Sequence, residues 1–343
     1  MGGLSGLGAQ IGKWVVAGAQ AAADNLNAAK SGSTFSLIAE DTQWAPQKGV
    51  ESFNKLSNVD HVNFILSGGS SVMEATAPLA TQSKTVMFNT GAQSAKMAGI
   101  SPFVFSVLQL SDFDTGVLAR YAFKDLGYKK IATLYVNNDT GVPNQTSFSK
   151  AFEAAGGQIV AAEAFKPNET SYGVQLAKIR AAQPDAIYLV GTPAELPFAA
   201  RQARQMAPNL PLLSFAGIES KEFLDAAGAA ANGIIYTTTA YDPHSDAQNV
   251  KDFVAAYKAK NNGEVPTSPY AGYGYDAMMI AAAALKQTNG QTGTAMADAI
   301  KQTKKFPGVT GDNVFRDDGT VAKAVAIRKI DGDHFTTIAV IQP

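Results

Sequence analysis

Short apolar segments alternate with helix-length segments through most of the 343-residue chain, and this alternation restricts the fold more than any other feature. Short apolar runs bounded by turn residues favour buried strands, whereas apolar residues spaced three and four apart favour helices. Strands that alternate with helices indicate parallel sheets covered by helices on both faces. We therefore predict an α/β fold built from doubly wound parallel sheets.

The alternation occurs in two successive series. The predicted strands of the first series are 34–41, 61–67, 85–89 and 103–107, and those of the second are 130–136, 158–165, 185–191, 210–215 and 233–239. Three helices follow without strands between them, and residues 312–341 then resemble a β-meander with turns at 317–319 and 331–332. Chains longer than about 250–300 residues usually split into domains. We expect two lobes, residues 1–108 with 243–305 and residues 109–242 with 306–343.

Composition excludes several classes of function. Lys and Arg total 28 against 29 Asp and Glu, so there is no basic excess for nucleic-acid binding. The chain has no Cys, which excludes disulfides, thiolate zinc sites and a Cys nucleophile. No apolar run approaches the ~20 residues of a membrane helix, and no signal-peptide pattern is present.

Motifs for catalysis and metal binding are absent from the sequence. His61, His244 and His334 are far apart and have no metal-ligand spacing. The segment GGSSV at 68–72 lacks the second glycine of a nucleophile elbow. We therefore predict no catalytic residue, no metal and no cofactor, and a protein that is not an enzyme.

The glycines near the start leave two interpretations open. Gly6, Gly8 and Gly12 fit G-x-G-x-x-x-G, and Glu40 or Asp41 could be the acid of a dinucleotide site, as in a nucleotide-dependent enzyme. Such a site needs a strand directly before the glycines, and none precedes them in this sequence. The alternative, which we favour, is a tight turn between a strand and a helix.

Six segments resemble, in the same order, those of the type I periplasmic solute-binding proteins of ABC transporters, the branched-chain amino-acid-binding branch in particular. They are GGLSGLGAQIG, LIAEDTQWAPQKGV, FILSGGSSVMEATAPLA, TVMFNTGAQSAKMAG, LYVNNDTGVPN and FPGVTGDNVFRDDGTVAKAVAIRKIDG. The resemblance implies two lobes joined by a multi-strand hinge, which close over a small solute and deliver it to a membrane permease. It also implies a monomer in the periplasm, or an extracellular lipoprotein, and identifies the glycines as the turn after a first strand that is missing here. A ligand-sensing receptor domain is a further alternative.

Candidate binding residues in the first lobe follow its strands, because sites in such sheets lie at the carboxyl ends of the strands. Gly69, Ser70 and Ser71 open a helix whose N–H groups suit a carboxylate, although a Ser could merely cap that helix. The resemblance adds the loop Thr90, Gly91 and Ala92 as a second carboxylate-binding segment. Trp44 could line an apolar pocket, and so could Tyr270 or Tyr273, which could equally be packing residues.

Candidates in the second lobe come from the resemblance and its departures. Thr140 and Gly141 replace the Tyr-Gly of the family, and Thr192 and Pro193 lie where amino-acid binders have a Tyr. Gly217 lies about where they have the acid that holds the ligand ammonium. Glu219 could substitute for that acid, or it could be solvated or begin the next helix. The resemblance with these departures predicts a small carboxylate without an ammonium, such as an aromatic or 2-oxo acid; a branched-chain or other amino acid is the alternative.

Overall fold

The computed structural model of the protein describes residues 1–29 and 33–343, and within those residues it has eleven α-helices and twelve strands, besides five short 3-10 or π-helical turns. In chain order they are α1 Ala9–Ala28, α2 Pro46–Asn54, β1 Ile65–Ser67, α3 Ser70–Ser83, β2 Met87–Asn89, β3 Val104–Ser106, α4 Ser111–Lys124, β4 Lys130–Val136, α5 Gly141–Ala154, β5 Gln158–Phe165, α6 Gly173–Ala181, β6 Ala186–Val190, α7 Leu196–Met206, β7 Leu212–Phe215, α8 Lys221–Ala227, β8 Ile235–Thr239, α9 Gln248–Lys260, α10 Pro269–Gln287, α11 Gly293–Thr303, β9 Lys305–Phe306, β10 Asn313–Val314, β11 Val325–Asp331 and β12 His334–Ile341. The predicted α/β fold is confirmed.

The chain divides into two compact units. Unit 1 is Met1–Leu110 with Ala240–Lys323, and unit 2 is Ser111–Thr239 with Ala324–Pro343. The division differs from the predicted lobes, which assigned residues 306–323 to the second lobe. These residues belong to unit 1 because Phe306, Phe315 and Val321 pack in its hydrophobic core.

The sheet of unit 1 has three short parallel strands in the order β1-β2-β3. The predicted strand at 34–41 is not a strand in the structure. Residues 34–40 carry no regular secondary structure, and within the described residues only Asp41 of this segment pairs with another backbone, in a parallel bridge to Gly2. The prediction fails there because an apolar run becomes a strand only where a neighbouring strand pairs along its length.

A buried polar cluster fixes the end of unit 1 to α10. The Asp276 carboxylate accepts hydrogen bonds from the backbone N–H of Val309 at 2.7 Å and of Thr310 at 3.2 Å, and from the Thr310 hydroxyl. The Lys323 ammonium lies 3.6 Å from that carboxylate, and both side chains are 1% exposed. Burial lowers the pKa of Lys323 to about 8, although Asp276 partly offsets this effect. The cluster explains why the chain after α11 remains in unit 1 as far as Lys323.

The sheet of unit 2 has seven strands in the order β12-β11-β8-β7-β6-β4-β5. The strands β4 to β8 pair in parallel, and every residue of β6 is buried, as expected for a central strand covered on both faces. The predicted hairpin at 331–332 is confirmed, because β11 and β12 are antiparallel and Asp331 pairs with His334. The predicted turn at 317–319 is also present, because Phe315 and Val321 form an antiparallel bridge across it. The meander is nevertheless not continuous, because β10 pairs with β9 in unit 1 rather than with β11.

Candidate functional site

The segment that joins β1 to α3 positions the strongest predicted residues. Gly69 has φ +83°, a left-handed conformation that favours glycine, and α3 begins at the next residue. The N-cap residue is Gly69, which has no side chain to cap the helix, and Ser70 and Ser71 lie in the first turn itself. Ser70 is buried, and its hydroxyl oxygen accepts the N–H of Ser94 at 3.4 Å. The N–H groups of the first turn and the positive end of the helix dipole suit an anion here.

The second predicted loop lies beside the start of α3 but uses its donors internally. A Cβ added to Gly68 would be 3.1 Å from the Cα of Gly91, so the two loops approach backbone to backbone. The N–H and the hydroxyl of Thr90 both donate to the carbonyl of Ser67, at 2.8 and 3.0 Å. The loop therefore supports the start of α3, and its Thr90 donors already have partners.

Asn89 is a residue that sequence reasoning missed. Its buried side-chain oxygen accepts the N–H of Gly91 at 3.2 Å and of Ala92 at 2.7 Å, and its amide donates to Ser106 Oγ at 3.0 Å. The amide thus ties the loop after β2 to β3. A polar residue at the end of the apolar run TVMFN was the signal that could have identified it.

Trp44 forms a flat surface next to the start of α3. A Cβ added to Gly8 would lie 2.3 Å from the indole, one on Gly3 would lie 2.8 Å away, and one on Gly69 would lie 3.2 Å away. The ring therefore sits between the glycine turn at the start of the chain and the loop before α3. Trp44 has φ +55° and the preceding Gln43 has φ +50°. Left-handed backbone of this kind costs free energy in residues other than glycine, and it occurs most often at functional sites.

The Asp41 carboxylate holds the two segments beside this ring. Its Oδ1 accepts the N–H of Leu4 at 2.8 Å and of Gln43 at 2.9 Å, and its Oδ2 accepts the Ser5 hydroxyl at 2.6 Å. Desolvation opposes ionisation, but these hydrogen bonds outweigh it and lower the pKa of Asp41 to about 2. Gly8 and Gly3 therefore pack against Trp44, whereas a Cβ on Gly12 would lie 2.0 Å from the carbonyl oxygen of Gly3, so both contacts depend on a tight turn.

The predicted residues of unit 2 follow the adjacent strands β4, β6 and β7. After β4, the N–H groups of Thr140 and Gly141 both donate to Asn138 Oδ1 at 2.9 Å, and a Cβ on Gly141 would lie 1.8 Å from the carbonyl oxygen of Val136. After β6, Thr192 is buried and Pro193 is half-buried. After β7, Gly217 is buried, with space for a Cβ blocked by the Phe215 ring at 2.7 Å.

Glu195 is a second residue that the sequence reasoning missed. It is buried, and its Oε2 accepts both the N–H of Thr192 at 2.9 Å and the Thr192 hydroxyl at 3.0 Å. Its Oε1 accepts the N–H of Asn168 at 3.0 Å. Both carboxylate oxygens therefore already have hydrogen-bond donors.

Glu219 is neither solvated nor part of a helix, contrary to two of the three expectations for it. Its side chain is 1% exposed and forms an ion pair with Arg328 on β11. Burial lowers the pKa of Arg328 to about 10. The negative charge of Glu219 is thus matched by a cation of the same unit. Tyr270 and Tyr273 are buried in the core of unit 1, and the ring of Tyr270 stacks on Trp14 at 6.4 Å.

Metal binding and membrane insertion have no support in the described residues. Within residues 1–29 and 33–343, no group of three or more His, Asp or Glu side chains could hold a metal ion. No helix in that part of the chain is both long and apolar enough to span a bilayer.

A sequence profile of the periplasmic binding proteins matches residues 1–334. The chain belongs to the periplasmic binding protein family. Members of the family are non-enzymatic solute-binding proteins that work with ABC transporter permeases and bind small molecules, and the family implies a periplasmic location. The resemblance stated from the sequence is thereby confirmed.

Individual relatives of this periplasmic binding protein bind two kinds of solute. The Leu/Ile/Val-binding protein BraC3 of Rhizobium johnstonii is 24% identical and covers 92% of this chain and 86% of its own. The crystal structure of a leucine binding protein, LivK, from Thermotoga maritima is 25% identical, has a TM-score of 0.91 and covers 100% and 97% of the two chains. A solute binding protein of R. palustris in complex with benzoate shares the fold, with a TM-score of 0.88 at 19% identity and coverage of 100% and 95%.

Proposed function

We propose that this periplasmic binding protein captures a small carboxylate that carries no ammonium group, an aromatic or 2-oxo acid, for an ABC importer. The observation that carries the proposal is the juxtaposition of the uncapped start of α3 with the indole of Trp44 in unit 1. An anion is stabilised at the helix start, and an aromatic ring packs against a flat apolar surface. An aromatic carboxylate has both an anionic group for the helix start and a ring for the indole surface.

The acids after β6 and β7 support the absence of an ammonium group. Glu195 accepts three hydrogen bonds from Thr192 and Asn168, and Glu219 is neutralised by Arg328. An ammonium buried without a counter-charge would cost several kcal/mol. The ammonium of an α-amino acid would therefore meet, at these two strand ends, only carboxylates that protein groups already bind.

Capture of a branched-chain amino acid is the second candidate, and the names of the relatives favour it. BraC3 and the Thermotoga maritima protein are called Leu/Ile/Val-binding and leucine-binding, at 24% and 25% identity. The two candidates differ in whether the ligand carries an ammonium group in addition to its carboxylate. Titration calorimetry with benzoate, phenylpyruvate, leucine and the carboxylate-free analogue toluene distinguishes them.

The calorimetry is paired with intrinsic fluorescence, because the chain has only two Trp residues, Trp14 and Trp44. We expect benzoate and phenylpyruvate to bind and to quench the emission, and toluene not to bind. The Trp44→Phe variant should lose the quenching, whereas Trp14→Phe, which removes a ring stacked on Tyr270, should retain it. Tight binding of leucine with no binding of either aromatic acid would refute the proposal in favour of the second candidate.

A further inference from the structure

Asn89 ends β2, directly before the loop that packs beside the start of α3. In the sheet of unit 1 it is the register partner of Ser67 on β1 and of Ser106 on β3. Register partners in parallel strands show their side chains on the same face of the sheet, so the three polar side chains form one row. Each of the three residues is 1% exposed or less. A buried polar group costs free energy unless it is hydrogen-bonded, so the partners of Asn89 indicate what its side chain holds.

The Asn89 amide uses its full hydrogen-bonding capacity within unit 1. Its oxygen accepts the N–H of Gly91 at 3.2 Å and of Ala92 at 2.7 Å. Its nitrogen donates to the carbonyl of Ala92 at 2.8 Å and to Ser106 Oγ at 3.0 Å. An Asn side chain has two donor hydrogens and two acceptor sites, so no capacity remains for a solute. Most of these bonds hold the backbone of the loop after β2.

The loop after β2 contacts the start of α3 at two points. A Cβ on Gly91 would lie 3.4 Å from the Cα of Gly68 and 4.0 Å from the nitrogen of Gly69, so the two backbones are in contact. Farther along the loop, the N–H of Ser94 donates to the Ser70 hydroxyl oxygen at 3.4 Å. That bond uses an acceptor site of Ser70 Oγ. Among the described residues this hydroxyl has no acceptor of its own, so it can donate to a carboxylate.

The donors of the loop are directed into unit 1. The N–H groups of Thr90, Gly91 and Ala92 all donate to acceptors within the unit. The carbonyl of Ala92 is likewise bound by the Asn89 amide. The loop therefore acts on an anion at α3 through the backbone that it supports, and not through these N–H groups.

We propose that Asn89 is a positioning residue for solute binding. By holding residues 90–94 against Gly68 and Ser70, it sets the direction of the donors that receive the solute carboxylate. Hydrogen bonds weaken steeply as their angle departs from linearity, so a small displacement of the loop raises the Kd without unfolding the protein. The inference rests on the proposed carboxylate site at α3. It applies to either candidate solute, because aromatic acids and branched-chain amino acids both carry the carboxylate.

The test compares Asn89→Asp and Asn89→Leu with the matched controls Asn27→Asp and Asn27→Leu. Asn27 also holds a loop by its amide, which accepts the N–H of Phe35 at 2.8 Å and donates to the Phe35 carbonyl at 2.9 Å. Phe35 packs with residues of α1 and α10, in a cluster that contains no α3 residue. The Kd values for benzoate and for leucine are measured by titration calorimetry at several pH values.

The pH dependence of Asn89→Asp separates positioning from packing. Burial raises the pKa of the introduced carboxyl; its protonated form keeps a donor, whereas its ionised form repels the Ala92 carbonyl. We expect its Kd to be near that of the unsubstituted protein at about pH 5.5 and about tenfold higher at about pH 8.5. Asn89→Leu should bind about tenfold more weakly at every pH. Both Asn27 variants should follow the unsubstituted protein.

Hydrogen exchange adds a readout that needs no solute. The amides of Gly91 and Ala92 should exchange at least about tenfold faster in Asn89→Leu than in Asn27→Leu. Faster exchange with an unchanged Kd would overturn the inference, as would an Asn89→Asp protein whose Kd follows that of the unsubstituted protein at every pH. If neither benzoate nor leucine binds the unsubstituted protein, the carboxylate site itself is refuted, and the inference is refuted with it.

Discussion

The indole of Trp44 lies so close to Gly8 that a single added carbon would be 2.3 Å from the ring. Gly8 is therefore needed for contact with an aromatic side chain, and this requirement explains the glycine without a bound nucleotide. This contact places Trp44 against the loop before α3, where the proposed carboxylate site begins. Several consequences can be measured.

Replacing Gly8 should disturb Trp44 directly. The Gly8→Ala substitution places a methyl group where the indole of Trp44 already lies. Overpacking of this kind lowers the free energy of unfolding by about 1–3 kcal/mol. We expect a lower Tm and a red-shifted Trp emission. Gly173→Ala is the control, because no atom lies within 4 Å of its added Cβ; an equal effect of both substitutions would contradict the contact.

Removing one hydroxyl at the start of α3 should weaken carboxylate binding without unfolding the protein. Ser71→Ala deletes a donor beside the helix N-terminus, and we expect about a tenfold higher Kd for benzoate by calorimetry. Ser83→Ala removes a hydroxyl at the opposite end of the same helix and should leave the Kd unchanged. If the two variants bind equally well, Ser71 does not contact the ligand.

Glu219 should affect stability rather than ligand affinity. Glu219→Gln leaves the charge of Arg328 buried without its carboxylate partner, which should cost roughly 3 kcal/mol or more in urea unfolding. Asp225→Asn, in an exposed pair with Lys221, should not change stability measurably. A Glu219→Gln protein of normal stability that no longer binds its solute would instead assign Glu219 to the ligand.

The buried carboxyl of Asp114 should make unit 2 less stable as the pH rises. Burial, helped by the charge of Asp112, raises the pKa of Asp114 to about 7 from 3.8. Between these values the unfolded chain releases a proton that the folded chain keeps, so this stabilising contribution is complete below about pH 4 and is lost by about pH 7.

The Asp114→Asn variant provides the measurement. Urea unfolding from about pH 4 to about pH 8 should show a smaller decline than the unsubstituted protein, and a gain on the order of a few kcal/mol above pH 7. Asp125→Asn, at an exposed position after α4, should keep the original pH dependence. An unchanged slope in Asp114→Asn would mean that this carboxyl titrates normally.

The local sequence pattern predicts the bounds of those strands whose neighbours in the sheet lie nearby in the sequence. The strands at 130–136 and 158–165 have the predicted bounds, because each is a continuous run of strand-forming residues in a sheet covered by helices. The segment 34–41 has the same pattern but lacks a partner along its length, so propensity alone does not make it a strand.

Long-range partners could not be predicted from the sequence. Glu219 and Arg328 are 109 positions apart, and nothing in the run GIES indicates that its acid is buried. The placement of Phe315 and Val321 in unit 1 likewise depends on packing against aromatic residues such as Phe105 and Phe306. The start of α3, in contrast, could be predicted from the sequence, because glycines followed by serines directly after a strand indicate the beginning of a helix.

Asp41 binds the backbone of Leu4 and of Gln43 at once, so the turn that carries Gly8 and the loop that carries Trp44 form one assembly. Residues that project from the first turn of α3 do not contribute to that carboxylate's hydrogen bonds. Under the proposed function, new solute preferences would be selected by exchanging a few side chains on α3, while Trp44, whose emission we expect to report occupancy, keeps its position. The same separation of recognition from readout is what an engineered fluorescent sensor requires.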